Sequence, residues 1–198
     1  MRGAKLEKPV ASLSQVFASC FPYGEPFRPQ LRHRLVVGLI LDELAPNQFE
    51  ALAAAARAVG DEEMLYAEVA RGEEEWEHWP AVDPLGSTRF SFDDYDTYFR
   101  QPTSPQTKAL WSPSARWGLL ITTDWHGLVA GVAEFDAAFR RTWPPWPPDP
   151  DRPDAVPVER QVESFVQTMR DEPALLERTL IHMYGLRQAR ALLGAGAS

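Results

Sequence analysis

The stretch RWGLLITTDWHGLVA, residues 116–130, contains the clearest local signal of the chain. Residues 116–123 have the aromatic and aliphatic composition of a strand, and residues 128–130 resume it. Between them lie Asp124-Trp125-His126-Gly127, which have turn chemistry. Two apolar runs joined by such residues predict a β-hairpin.

The segments on either side of this hairpin extend the pattern into an α+β fold. A nearly continuous aliphatic run, 35–41, predicts a buried strand, although a helix that begins near Pro29 is the alternative. Apolar residues at helical spacing predict two helices, over 47–59 and over 132–142. We therefore expect one domain in which these helices cover a small, mostly antiparallel sheet, built from residues 35–41, 63–69, 109–123 and 127–131.

Two shorter helices are predicted outside this framework. Residues 12–20 are amphipathic, which places Cys20 in a short helix as a buried structural cysteine. Residues 92–100 form the second helix, with Ser91 or Asp93 as its N-terminal cap.

A proline-rich segment divides the chain. Seven prolines lie within residues 144–157, and this density favours extended polyproline II, which predicts a stiff strut. The strut separates an α+β body, 1–143, from residues 158–198, whose apolar side chains repeat at helical spacing. A helical segment this short cannot bury enough surface to fold alone. We expect it to pack on the body, on a partner or on a second copy, which makes a homo-oligomer possible.

The charge of the protein is concentrated in one fifth of the chain. Twelve acidic and two basic residues lie between Asp61 and Phe99, so this segment carries −10, whereas the whole chain carries −8. An acidic protein repels nucleic acids and anionic membranes, and neither is expected as a partner. Cys20 is the only cysteine, which excludes an intramolecular disulfide and indicates the cytoplasm. We expect no cofactor.

Catalytic and metal-binding motifs are missing from the sequence. The four histidines have no histidine or cysteine at zinc-ligand spacing, and no phosphate loop, dinucleotide fingerprint or nucleophile elbow is present. Asp93, Asp94 and Asp96 are interpreted as helix N-terminal charges rather than calcium ligands. Asp124 and His126, together with Asp93–Asp96, remain the candidate residues of a small enzyme of unknown type.

The acidic segment supplies the candidate binding residues. It interleaves carboxylates with aromatic side chains, and tryptophan is the residue most enriched at binding hot spots. For Trp76 and Trp79 the sequence favours two interpretations equally: they anchor the segment to the core, or they belong to the interface. The predicted partner-binding residues are Glu73, Glu74, Glu75, Trp76, Glu77, Trp79, Asp93, Asp94, Tyr95 and Asp96.

The strand–helix–strand start, the Trp125–Gly127 hairpin and the acidic balance resemble small immunity or antitoxin-type proteins of bacterial toxin systems. The resemblance implies a non-enzymatic protein that blocks the basic surface of a partner toxin. Two alternatives are the small enzyme named above and a structural adaptor that binds a larger assembly through its C-terminal helices.

Overall fold

The computed structural model describes residues 11–39, 43–69, 87–100, 107–122, 124–146 and 155–195. Its strands are β1 (His33–Gly38), β2 (Glu63–Val69), β3 (Thr88–Ser91), β4 (Thr107–Trp111), β5 (Trp117–Ile121) and β6 (His126–Gly131). They form one antiparallel sheet in the order β1-β6-β5-β4-β2-β3. In the described ranges the α-helices are α1 (Leu13–Val16), α2 (Pro46–Arg57), α3 (Tyr95–Phe99), α4 (Ala133–Thr142), α5 (Val162–Thr168), α6 (Pro173–Tyr184) and α7 (Leu186–Ala195). The predicted α+β class is confirmed.

Both faces of the sheet are covered. An antiparallel sheet with one wet face alternates apolar and polar residues, but β4, β5 and β6 are buried along their whole length. In β5, Trp117, Leu119 and Ile121 belong to one core, whereas Leu120 belongs to the other. The continuous apolar runs of the sequence therefore reflect a sheet that lies between two helical layers.

The first layer consists of α2, α3 and α4. Its aromatic side chains stack on the sheet and on one another: the Trp117 and Phe135 ring centroids lie 5.5 Å apart, and those of Phe139 and Trp143 lie 4.5 Å apart. Such pairs add to the free energy gained from apolar burial. This layer matches the two helices that the sequence predicts over the sheet.

The second layer consists of α1 with its following loop and the C-terminal helices α5, α6 and α7. Phe165 of α5 and Leu180 of α6 are fully buried in the same core as Leu120 of β5. The C-terminal helices thus pack on the body of their own chain.

Side chains from the C-terminal part also cover the outer edge of β1. The Val36 amide donates to the Tyr184 hydroxyl at 2.8 Å, and the Gly38 amide donates to Gln161 Oε1 at 2.9 Å. The Trp146 indole donates to the Leu39 carbonyl at 3.1 Å. An edge strand with free backbone groups invites pairing with other chains, and these contacts remove that possibility over most of β1.

Gly38 leaves the space that the Trp146 ring occupies. A Cβ atom on residue 38 would lie 2.2 Å from Cδ1 of Trp146. We expect Gly38→Ala to lower the free energy of unfolding by about 2 kcal/mol, because the ring must leave its place. Urea unfolding measures the loss. Gly194→Ala in α7 is the matched control, since nothing lies within 4 Å of its Cβ; an equal loss in both variants would contradict the explanation.

Several predicted elements have different boundaries in the structure. The run at 35–41 is a strand and not a helix, although β1 begins earlier, at His33, and residues 40–42 lie outside the described part. α1 ends at Val16 instead of extending to residue 20, because Phe17 is extended and bridges Phe27. Cys20 is buried as expected, and burial raises the pKa of its thiol to about 12. β3 has no counterpart in the prediction.

The two described ends of the proline-rich segment lie next to each other. Trp146 and Val156 form an antiparallel bridge with backbone N–O distances of 2.8 and 2.7 Å. Residues 147–154 lie outside the described part. The two described ends of the predicted strut are therefore side by side, and α5 follows close to the end of α4.

Candidate functional site

One end of the sheet adjoins several segments that lie outside the described residues. We call this end the upper end. Strands β1, β2 and β5 finish there, and strands β3, β4 and β6 begin there. The undescribed internal segments 40–42, 70–86, 101–106 and 123 all join the described chain at strand ends located there. The segment 147–154 also leaves from this end, because Trp146 binds Leu39. Loops positioned by a rigid scaffold are where binding residues concentrate.

The central part of the predicted acidic surface is connected to the upper end. Glu73, Glu74, Glu75, Trp76, Glu77 and Trp79 lie outside the described residues, so their roles stay predictions. Their segment leaves the sheet after Val69 of β2 and re-enters it at Thr88 of β3, which are neighbouring strands.

Asp93 and Asp94 stabilise the local fold. The Arg57 guanidinium binds Asp93 Oδ1 at 2.6 Å, while Asp94 accepts the Thr97 amide at 3.0 Å. The N-terminal cap of α3 is thus Asp94 rather than Ser91 or Asp93, because the helix begins at Tyr95, three residues later than predicted. Hydrogen bonds from Thr97 lower the pKa of Asp94. Both side chains are exposed, and the charge of Asp93 is compensated by Arg57.

α3 also presents an exposed aromatic ring. Phe99 is 51% exposed and stacks on Tyr95 with ring centroids 5.7 Å apart. The Tyr95 hydroxyl donates to the Leu44 carbonyl at 3.2 Å, which fixes the stacking partner to the body. Asp96, on the same helix, is exposed. The result is an apolar ring on a rigid support among carboxylates.

A buried ion pair lies beneath this helix. Lys108 Nζ and Glu43 Oε1 are 3.4 Å apart, and both side chains are almost fully buried. Tyr98 of α3 is buried nearby and accepts the Leu44 amide at 3.3 Å; burial raises its pKa. Sequence reasoning missed this pair, although a lysine in the apolar strand TKALW was a signal. A buried pair is costly to break, and Tyr98 connects α3 to Leu44, the residue next to Glu43.

The hairpin tip differs from its prediction. Trp125, and not Gly127, has the positive φ of the turn, +60°. Gly127 lies within β6, where a Cβ atom would be 2.9 Å from Leu119 and 3.0 Å from Val37. Glycine is thus required at residue 127 for close packing. Asp124 binds the Tyr23 hydroxyl, and burial raises the pKa of its carboxyl group.

His126 is buried at the beginning of β6. It is 2% exposed, and its ring meets the Phe165 ring edge-on at 5.3 Å. Neither ring nitrogen has a hydrogen-bond partner among the described residues; the peptide of Asp124 lies near without the geometry of a bond. Desolvation by burial lowers the pKa of His126 to about 4. The ring is therefore neutral at neutral pH.

The structure does not bring the candidate catalytic residues together. Asp124 and His126 flank the start of β6, whereas Asp94 follows β3 at the far edge of the sheet. Four strand spacings, roughly 19 Å, separate β6 from β3. His126 also faces the α5 layer, whereas α3 lies in the opposite layer.

The described ranges contain no group of three or more histidine, cysteine, aspartate or glutamate side chains placed to hold a metal ion. None of their helices has the length and apolarity needed to cross a membrane.

Comparison of the chain with protein-family models, with curated proteins and with solved structures gives no match.

Proposed function

We propose that this protein is a non-enzymatic binding module that uses its acidic surface to occupy a basic surface of another protein. The proposal includes an immunity or antitoxin-type role against a partner toxin. It also includes a cytoplasmic location, which the single buried thiol of Cys20 supports. The observation that carries the proposal is the segment of net charge −10 between Asp61 and Phe99, together with the exposed Phe99 ring that α3 presents.

The described part of this surface is rigid before any partner binds. α3 is fixed by the Arg57–Asp93 ion pair at one end and by hydrogen bonds of Tyr95 and Tyr98 to Leu44. A binding surface that is already ordered loses less conformational entropy on association. This rigidity favours a dedicated docking surface over a solvated acidic face.

The two kinds of side chain have different expected roles. Carboxylates at the rim attract a basic partner and raise the association rate, whereas a buried aromatic anchor slows dissociation. We expect Glu74, Glu75 and Glu77 to act mainly on association, and Phe99 mainly on dissociation.

The test begins with the basic protein that the wild-type chain captures from its source cells, identified and then purified. We expect the triple reversal of Glu74, Glu75 and Glu77 to lysine to slow its association at least tenfold at low salt, with a weaker salt dependence. Stopped-flow kinetics measure both effects.

A matched triple reversal controls for total charge. Glu159, Asp171 and Glu177 are exposed in the C-terminal part, and their change to lysine alters the net charge equally. Phe99→Ala should raise the dissociation rate, whereas Leu186→Ala, at a residue 49% exposed in α7, should not. Equal slowing by both triple variants, or no captured basic protein, would refute the proposal.

A further inference from the structure

The two edges of the sheet differ in how they are covered. At the β1 edge, side chains from the C-terminal part accept the outward amides of Val36 and Gly38. β3 forms the opposite edge and pairs only with β2. Thr88, Arg89 and Ser91 of this strand are exposed. One edge of the sheet is therefore covered, whereas the other is exposed to solvent.

The register shows which backbone groups of β3 point outward. The Phe92 amide donates to the Glu62 carbonyl at 3.3 Å, which fixes the hydrogen-bonded pairs of the ladder. Residues of an antiparallel pair alternate between hydrogen-bonded and non-hydrogen-bonded positions, so Phe90 also bonds β2. The amides of Arg89 and Ser91 and the Arg89 carbonyl point away from β2. None of these three groups has a hydrogen-bond partner among the residues that the structure describes.

The side chains of β3 leave this edge accessible. Edge strands are commonly protected by proline or by charged side chains that project beyond the sheet. The charged residue of β3 is Arg89, and its guanidinium binds Glu63 of the inner strand β2 at 2.9 Å. The cation is thereby held over the sheet instead of beyond its edge. Because β3 has four residues and no proline, it can pair with a short extended segment.

The described charges around β3 favour a basic segment. Arg57 contacts both Glu62 and Asp93, so one cation is shared between two carboxylates. The net charge is −2 over the carboxylates and guanidinium groups of β3, of α3 and of the residues that flank or contact them, which are Glu62, Glu63, Asp93, Asp94, Asp96, Arg57, Arg89 and Arg100. A segment that carries lysine or arginine complements this charge. A second copy would present the same acidic edge, and its own net charge of −8 adds repulsion.

α3 supplies an apolar contact on one face of the same edge. The Tyr98 ring meets the Phe90 ring edge-on, with centroids 5.9 Å apart, so α3 lies against β3. Phe99, the next residue of the helix, is 51% exposed. Alternate side chains of a strand added to β3 would fall on the face that bears Phe90. Apolar residues at those positions would pack beside α3.

We infer that the outer edge of β3 binds an extended basic segment of the partner protein, which pairs with the backbone of Arg89 and Ser91 as a further strand of the sheet. Strand addition takes its affinity from main-chain hydrogen bonds and its specificity from alternate side chains. The inference rests on the proposed function and adds to it the mode of recognition and the backbone groups that carry it.

The first test compares two peptides. A labelled peptide of alternating lysine and valine is the probe, and fluorescence anisotropy at physiological salt gives its dissociation constant. A second peptide of the same sequence is N-methylated at every backbone amide, so it keeps the charge and the side chains but has no main-chain donors. We expect it to bind about tenfold more weakly, because it cannot donate to the Arg89 carbonyl.

Two variants locate the binding at β3. Arg89→Pro removes the outward amide, and proline is tolerated in an edge strand where its nitrogen faces solvent. Arg89→Gln makes the same change of charge and keeps the amide. We expect the unmethylated peptide to bind Arg89→Pro about tenfold more weakly than Arg89→Gln, with far-UV circular dichroism as the control for folding. Equal affinities of two folded variants would overturn the inference.

Amide exchange measured by NMR on the wild type gives a result that depends on no variant. Saturation with the unmethylated peptide should slow exchange of the Arg89 and Ser91 amides about tenfold, because an added strand protects them. The Gly38 amide, already bonded to Gln161, should be unchanged. Unchanged exchange at both Arg89 and Ser91 would overturn the inference.

The outcomes separate the inference from the proposed function. Equal binding of the two peptides, or no binding of the unmethylated one, would overturn strand addition at β3. The proposed function fails on different results, which are the absence of a captured basic protein or equal slowing of its association by the two triple reversals.

Discussion

Replacing Gln161 with alanine is expected to lower the free energy of unfolding by about 4 kcal/mol. Gln161 is fully buried between α4, the edge of β1 and the Trp146–Val156 bridge. Its Oε1 accepts the Gly38 amide at 2.9 Å and the Trp143 indole at 3.2 Å. Its Nε2 donates to the carbonyls of Pro144 at 3.1 Å and Val156 at 3.2 Å.

The size of the effect follows from the groups left behind. Truncation removes four hydrogen bonds at once, and each buried group that loses its partner costs about 1–3 kcal/mol. Water entering the space restores part of this, which gives the figure of about 4 kcal/mol. The cavity adds to the loss.

Urea unfolding of Gln161→Ala measures the prediction. Gln167→Ala, at an exposed position of α5, is the matched control and should change stability by less than about 0.5 kcal/mol. Gln161→Glu keeps the acceptor atoms but loses the amide donor and buries a carboxyl group, so it should also destabilise. A loss below about 1 kcal/mol for Gln161→Ala would contradict the role assigned to this side chain.

Periodicity predicted the parts of the fold that bury a regular apolar face. The helix at α2, the helix at α4 and the hairpin of β5 and β6 were all readable, because their apolar residues repeat at the period of the element. β3 was not, since its four residues bury only Phe90 and lie within the acidic segment. A periodic pattern is recognisable only over several helical turns or several alternations of apolar and polar residues, and β3 is too short to show one.

The site was less readable for a different reason. Asp94 was identified as part of an acidic cluster, but its capping role depends on where α3 begins. Lys108, Glu43 and Gln161 have structural roles only through partners that lie up to 123 residues away in the sequence. Composition shows the charge of a segment, whereas pairing across the sheet decides which groups are neutralised and which face a partner.

Acidification is expected to destabilise the protein between pH 6.5 and pH 4, before most carboxylates are protonated. Burial lowers the pKa of His126 to about 4, and burial together with Arg34 lowers the pKa of His182 to about 4. In the unfolded chain both titrate near the ordinary value of about 6.5. The unfolded state therefore binds more protons in this range, so stability is complete above pH 6.5 and falls as the pH falls.

The loss of stability on acidification differs in size between His126 and His182. A shift of 2.5 pKa units corresponds to about 3 kcal/mol for His126, whose ring is enclosed by apolar side chains. His182 accepts the Phe27 amide on Nε2 at 3.3 Å and is only partly buried, so solvent screening reduces its share to roughly 1–2 kcal/mol. The raised pKa of Asp124 acts in the opposite direction and offsets a fraction of the loss.

Urea unfolding at a series of pH values between 7 and 4 measures this dependence, and His126→Phe isolates the larger contribution. Phenylalanine keeps the edge contact with Phe165 and removes two ring nitrogens that have no partner in the described chain. We expect its stability at pH 7 to equal or exceed that of the wild type, and the fall towards pH 4 to be smaller by about 3 kcal/mol. Gln167→Ala, at an exposed position of α5, should leave the pH dependence as it is. An unchanged slope in His126→Phe would mean that the His126 ring is solvated in the native protein, since only a desolvated ring resists protonation over this range.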